Sequence, residues 1–177
     1  MLYTLFSFHE KEDYHFSVID KNAVLFDKFN IPECKNNPIK NNPIKNNIIP
    51  LNEQFIEHHN LNLEEFLNQC DLYTCYSGTS DLFSERAVNL LRDELKNEVE
   101  FIPCSIKGEK VKIYAALFLK SARMISSFVG MGFEFYPLNN VNAEYAIQDE
   151  KGVKFVTQKF VDLIEKHQLV MEFRAKN

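Results

Sequence analysis

SERAVNLLRDEL at residues 84–95, VEFIPCSI at 99–106 and KVKIYAALFL at 110–119 read as one helix followed by two strands. In the first segment Val88, Leu91 and Leu95 recur at i, i+3 and i+7, with Ala87 and Leu90 beside them. Asn89, Arg92, Asp93 and Lys96 fall on the other side. An apolar stripe of that period marks a half-buried helix. Two residues qualify as its cap, Asp81 and Ser84, since either side chain can accept from a first-turn N–H. The strands join across a turn at Lys107-Gly108-Glu109. This unit is scaffold, and nothing in it is a catalytic signature.

Upstream, LYTLFSF, HFSVID and AVLFDKF alternate with charged turns and read as strands within residues 1–28. Residues 33–50 differ: NNPIK occurs at 36–40 and again at 41–45, followed by NNIIP. Proline removes backbone donors and paired Asn favours turns, so this is expected to be an exposed, flexible loop, with partner recognition as its alternative role. LNEQFIEHHN at 51–60 is ambiguous. Asn62 with Glu65 fits a capping box, and Leu63, Phe66, Leu67 and Cys70 line one face of the helix that would follow. DLYTCYSGTSD at 71–81 is polar and aromatic and reads as an inter-helix loop.

Downstream, Phe133 and Phe135 alternate with Glu134 and Tyr136, the period of a strand with one wet face. Gly130 and Gly132 suggest a bend nearby. VNAEYAIQD at 141–149 is a further strand candidate, ended by Glu150-Lys151-Gly152. TQKFVDLIEKHQL at 157–169 forms a helix with Phe160, Val161 and Ile164 inward. Asp162 and Lys166 would pair across one turn, and His167 falls in the last turn, where positive charge suits the dipole. VMEFRA at 170–175 alternates again and adds a terminal strand. Strands, helices, strands, helix and strand without regular βαβ alternation define an α+β class: a single domain over 1–177, with a mostly antiparallel sheet, two or three main helices and a C-terminal helix-strand.

The chain has 177 residues, a net charge of -5, 16 Phe and no Trp. That length suits one domain with a phenylalanine-rich core. A general nucleic-acid binder needs a positive surface, so the balance disfavours that class and favours a basic protein partner. MLYTLFSFHEKED lacks the basic start and long apolar core of a secretory signal, and no run approaches a membrane span. Cys34, Cys70, Cys75 and Cys104 are too sparse for a disulfide scaffold and read as thiols of a cytoplasmic protein.

Cys70 and Cys75 with His58-His59 have zinc-ligand chemistry, but Cys70 already has a core role and adjacent histidines rarely hold one ion. No metal or cofactor is expected. Ser77-Gly78 is not a nucleophile elbow, and no phosphate loop, dinucleotide fingerprint or metalloprotease helix occurs, so no catalytic residue is assigned. Asp71, Asp81, Glu134, Glu144, Asp149 and Glu150 are carboxylates able to face a cationic partner, with an ordinary solvated surface as the alternative for each. Tyr73 and Tyr76 suit a binding rim, because tyrosine joins large contact area to a polar tip; core packing is the alternative for both.

Ser84, Leu90 and Leu91 in a Ser-led helix, Glu100, Ile102 and Pro103 in the strand after it, Val156, Thr157 and Phe160 opening the last helix, and Glu172-Phe173 in the final strand together form a pattern. It resembles that of bacterial immunity proteins of polymorphic-toxin and contact-dependent inhibition systems. The matched span runs from Ser84 to Phe173, with Val170 where that family often has Gly, and residues 1–69 carry no match. The resemblance implies a cytoplasmic, non-enzymatic inhibitor that binds one toxin domain, in many cases a nuclease with a basic cleft, and occludes its active site or substrate path. Variable loops would set specificity, which makes the Asn/Pro repeat and the 71–81 segment the expected contact regions, with Asp71, Tyr73, Tyr76, Asp81, Glu134 and Glu144 as toxin-binding residues. A small hydrolase or transferase and a general interaction module remain the other readings.

Overall fold

The computed structural model describes residues 1–6, 15–19, 49–56, 68, 70–74, 81–106, 112–130, 132–137 and 141–176. Their elements are β1 (Leu2–Phe6), β2 (His15–Ile19), β3 (Ile49–Ile56), β4 (Leu72–Thr74), β5 (Asp81–Ser84), α1 (Glu85–Leu95), β6 (Val99–Ile106), β7 (Lys112–Phe118), β8 (Ser121–Ala122), β9 (Ile125–Val129), β10 (Gly132–Phe135), β11 (Ala146–Asp149), β12 (Lys154–Thr157), α2 (Gln158–Lys166) and β13 (Glu172–Lys176). The fold is α+β, as the sequence pattern predicts.

Ser84 is the cap of α1. Its backbone is extended and its Oγ accepts from the Ala87 N–H at 3.0 Å. Ala87, Val88, Leu91 and Leu95 are buried, whereas Leu90 remains 40% exposed, so the stripe is narrower than the run of leucines suggests. β6 and β7 then pair antiparallel from Val99↔Phe118 to Ser105↔Lys112. They form the middle of a six-stranded sheet ordered β2-β3-β6-β7-β5-β4, in which only β3–β6 is parallel. Pro103 lies in β6 just before the β3 ladder begins at Cys104, at the end of that ladder, where a residue without an N–H is tolerated.

A second sheet is ordered β13-β1-β12-β11-β8; the C-terminal strand that the alternation predicts is β13, on its edge. One core joins both sheets to both helices: Phe83, Leu91, Phe101, Phe118, Ala146, Val156, Phe160 and Ile164 all belong to it. The opposite face of the second sheet carries a smaller core of Leu2, Ile147 and Phe155, closed by Met124, Ile125, Phe133 and Phe135 from the β9–β10 hairpin and its lead-in. β1 shows the division: Leu2 faces the hairpin, while Tyr3 and Leu5 face the helices.

Several expectations need correction. Ile49 and Pro50 begin β3 and are not part of the Asn/Pro loop; the rest of 33–50 lies outside the described residues. The 71–81 segment is not an inter-helix loop at its ends, because β4 and β5 pair there with Leu72↔Phe83 and Tyr73↔Leu82. Both strands are too short for alternation to show, and both faces at this point are buried. β9 and β12 were not foreseen: Ser126-Ser127 hides the first, and the second directly abuts α2. Asp162 takes a hydrogen bond from Gln158 Nε2 at 2.8 Å in place of the expected Lys166 pairing. The AVLFDKF strand and the helix expected from Asn62 fall outside the described residues, apart from Asn68 and a buried Cys70.

The α1 stripe makes a direct prediction. Leu91→Ala should cost about 3 kcal/mol, since it opens a cavity in the shared core. Leu90→Ala should cost under about 1 kcal/mol. Urea unfolding of the two variants side by side measures the difference.

Candidate functional site

Asp71, Glu98 and Asp149 are buried carboxylates, and each is surrounded by donors. Asp71 Oδ1 accepts from Ser84 Oγ at 2.5 Å and Arg86 Nε at 3.1 Å; Oδ2 accepts from the Val170 N–H at 2.8 Å and from the Arg86 guanidinium. It thereby ties the start of β4, the cap of α1 and the segment leading to β13. Burial by itself would raise the Asp71 carboxyl. The hydrogen bonds from Arg86, Ser84 and Val170, with the Arg86 charge, outweigh it and hold the group below its ordinary value.

Glu98 does the same at the other end of α1. Its Oε1 accepts from Lys120 Nζ at 2.5 Å and the Glu144 N–H at 2.8 Å. Its Oε2 accepts from the Tyr145 and Ala146 N–H groups at 2.6 and 2.8 Å. Burial again pushes upward, and Lys120 with three successive backbone donors reverses the direction. The segment it fixes lines an open groove of about 750 Å³ with Leu2, Lys120, Val141, Glu144 and Lys159.

Asp149 organises an exposed apolar hairpin. Its Oδ2 accepts from the Met124 and Ile125 N–H groups at 2.7 and 2.8 Å, fixing the base of β9, and its Oδ1 accepts from the Lys151 N–H at 2.7 Å. The hairpin that follows pairs Val129 with Gly132 and Phe128 with Phe133. Gly130 has φ +57° and a Cβ there would meet nothing within 4 Å, so glycine serves the turn's backbone and not its packing. Phe133 and Phe135 meet the fully buried Phe155 edge to face at 5.9 and 5.5 Å. Phe128 stands on Phe133 at 5.6 Å and is 57% exposed, with Val129 at 55%. An aromatic ladder thus runs from the core to an uncovered tip.

Cations surround that ladder. Lys151 Nζ lies 5.0 Å from the Phe128 ring centre, Lys176 Nζ 5.3 Å from Phe133, and the Arg123 guanidinium 4.8 Å from Tyr136. Arg123 also donates to Tyr136 Oη at 2.8 Å, and Lys151 to the Ser126 carbonyl at 3.1 Å. Rigid aromatics with a polar rim are the composition of protein-binding surfaces.

The residues expected to bind a partner separate into groups. Glu134 is exposed on β10, where it accepts from Ser127 Oγ at 2.5 Å, and Glu144 is exposed beside the groove, paired with Lys159 at 2.8 Å. Asp71 and Tyr73 are not on a rim. Both are buried, Tyr73 within β4 and Asp71 just before it, and Tyr73 Oη donates to the Cys70 carbonyl at 2.7 Å; Asp149 is buried as well, so it is not on a rim either. Burial raises Tyr73 and pushes the Cys70 thiol up to about 12. Asp81 pairs at 3.1 Å with Lys154, whose side chain is 9% exposed, and so bridges the two sheets. Tyr76, Cys75 and the His58-His59 pair lie outside the described residues. Lys151, Lys176, Arg123 and Phe128 were missed; the only signal in the sequence was the clustering of aromatics on either side of Gly130.

Among the described residues no helix is long and apolar enough to cross a membrane. Compared with known proteins, the chain matches no family model, no curated protein and no solved structure.

Two outcomes follow from the buried acids. Asp71 and Glu98 titrate lower folded than unfolded, where carboxyls lose their protons near about pH 4. Their stabilisation is therefore complete above that range and is lost as pH falls through it toward the folded values. The gap in urea midpoint between the native chain and Glu98→Gln should be widest at neutral pH and narrow below about pH 4. Asp149→Ala leaves buried N–H groups without an acceptor; it should cost about 2 kcal/mol and speed amide exchange at Met124, Ile125 and Lys151.

Proposed function

We propose that this chain is a cytoplasmic immunity protein that neutralises a cognate bacterial toxin by stoichiometric binding and occlusion of its active site or substrate path. The observation that carries the reading is the uncovered hairpin tip of Phe128 and Val129, with Phe128 on a ring ladder through Phe133 to the buried Phe155. An apolar projection fixed in this way loses little conformational entropy on docking.

The resemblance to immunity proteins lends support, because several of its residues occupy framework positions, although Leu90 is exposed. Ser84 caps α1, Ile102 and Pro103 lie in the central β6, Thr157 opens α2, Phe160 is in the shared core, and Phe173 is on β13. Such a framework leaves the surface free to vary with the toxin. The net charge of -5 would draw in a basic toxin domain over distance.

The test is co-expression with the toxin domain encoded beside it. The expected result is restored growth and a one-to-one complex on light scattering. Toxicity unrelieved at full expression, or relief without a complex, would overturn the proposal.

A further inference from the structure

The contact chemistry of that partner is written in the cations around the hairpin, an argument that rests on the reading of the chain as a toxin-binding protein. Elsewhere in the described residues Arg86, Lys112, Lys120, Lys154 and Lys159 each meet a carboxylate of the same chain. Arg92, Lys96 and Lys166 are in no ion pair among the described residues either, with Arg92 5.6 Å from the Tyr114 ring centre, but Lys151, Lys176 and Arg123 are set apart by gathering around one exposed apolar tip. Each is held over an aromatic ring, and among the described residues none of the three is in an ion pair. In an acidic chain with 25 Asp and Glu, leaving three neighbouring cations without a carboxylate runs against the overall balance.

We infer that the β9–β10 hairpin, with Lys151, Lys176 and Arg123, docks into an acidic spot on the toxin: an apolar recess that takes Phe128 and Val129, ringed by carboxylates. The rings hold the ammonium and guanidinium groups in place, so little side-chain entropy is lost when a carboxylate arrives. Asp149 sets the geometry by fixing both the base of β9 and the backbone of Lys151. Net charge and local charge then do separate jobs. The acidic whole steers toward a basic domain, and the basic hairpin chooses where on that domain contact is made.

A polyanion fits this surface poorly. Exposed Glu134 stands within the hairpin and exposed Glu150 beside Lys151, so a continuous phosphate backbone would meet like charge. A protein can place its carboxylates to avoid both. A second copy of this chain is the other acidic occupant, and solution mass decides against or for it.

The experiment measures binding of the full-length chain to the adjacent-gene toxin domain at two salt concentrations. Phe128→Asp and Lys151→Glu are the test variants; both side chains are exposed, and circular dichroism checks the fold. Leu90→Asp on α1 is the control, with a similarly exposed apolar side chain remote from the hairpin in sequence. Phe128→Asp is expected to weaken binding at least about tenfold. Lys151→Glu is expected to slow association about threefold or more at low salt and to flatten its salt dependence. Leu90→Asp should change neither.

Binding by all variants equal to the native chain would overturn the inference while leaving the toxin-binding reading intact. No binding by the native chain would overturn that reading itself. A dimer of the chain alone that Phe128→Asp dissolves, or retention of a poly-dT oligonucleotide that Lys151→Glu abolishes, would assign the hairpin to another occupant and equally overturn the inference.

Discussion

A carboxylate removed from water must be met by donors, or its ionisation becomes prohibitive. Glu98 and Asp149 satisfy this demand chiefly with backbone N–H groups, from residues 144–146 and from Met124, Ile125 and Lys151, and Asp71 chiefly with the Ser84 and Arg86 side chains, joined by the Val170 N–H. Each acid therefore fixes the path of a chain segment at or beside the end of a regular element. The N–H groups at these element ends would otherwise be buried without acceptors. Group and backbone solve each other's problem.

The helices show how this supplements the apolar core. α1 is bracketed by acids: Asp71 holds the Ser84 cap and Glu98 follows its last turn. The shared core supplies the non-directional part of the stability, since aliphatic and aromatic groups from both sheets and both helices are interchangeable in area. Direction comes from the acids. Lys154 and Asp81 add one more cross-sheet constraint where the two sheets approach, with Lys154 also over the Phe118 ring at 5.6 Å.

The same logic reaches the surface. Without Asp149 the base of β9 would lose its buried backbone bonds and keep its apolar packing and the Lys151 bond to the Ser126 carbonyl. With it, the hairpin is attached by directional bonds at its root and by edge-to-face rings along its length. The exposed tip is consequently a fixed feature of the molecule, which is what a recognition element requires. The groove below Lys120 and Glu144 owes its wall to Glu98 in the same manner.

α1, β6, β7, β10, α2 and β13 were legible because their signals are local: a 3.6-residue stripe, a two-residue alternation, a Ser at a cap. β4, β5 and β12 were not, since strands of three or four residues carry too few positions to show a period. At the candidate site the exposure of Glu134 and Glu144 fits their polar context, while Asp71 and Tyr73 misled because a buried acid and a buried phenol look polar in the sequence. By itself, then, the sequence determined the class of fold, the helix faces and the terminal strand. Only the tertiary structure decided which acids are internal and which aromatics are uncovered. Those properties depend on donors and rings brought together from distant parts of the chain, from 13 residues apart for Ser84 and Asp71 to 99 for Val170 and Asp71, and no local pattern encodes contacts of that range.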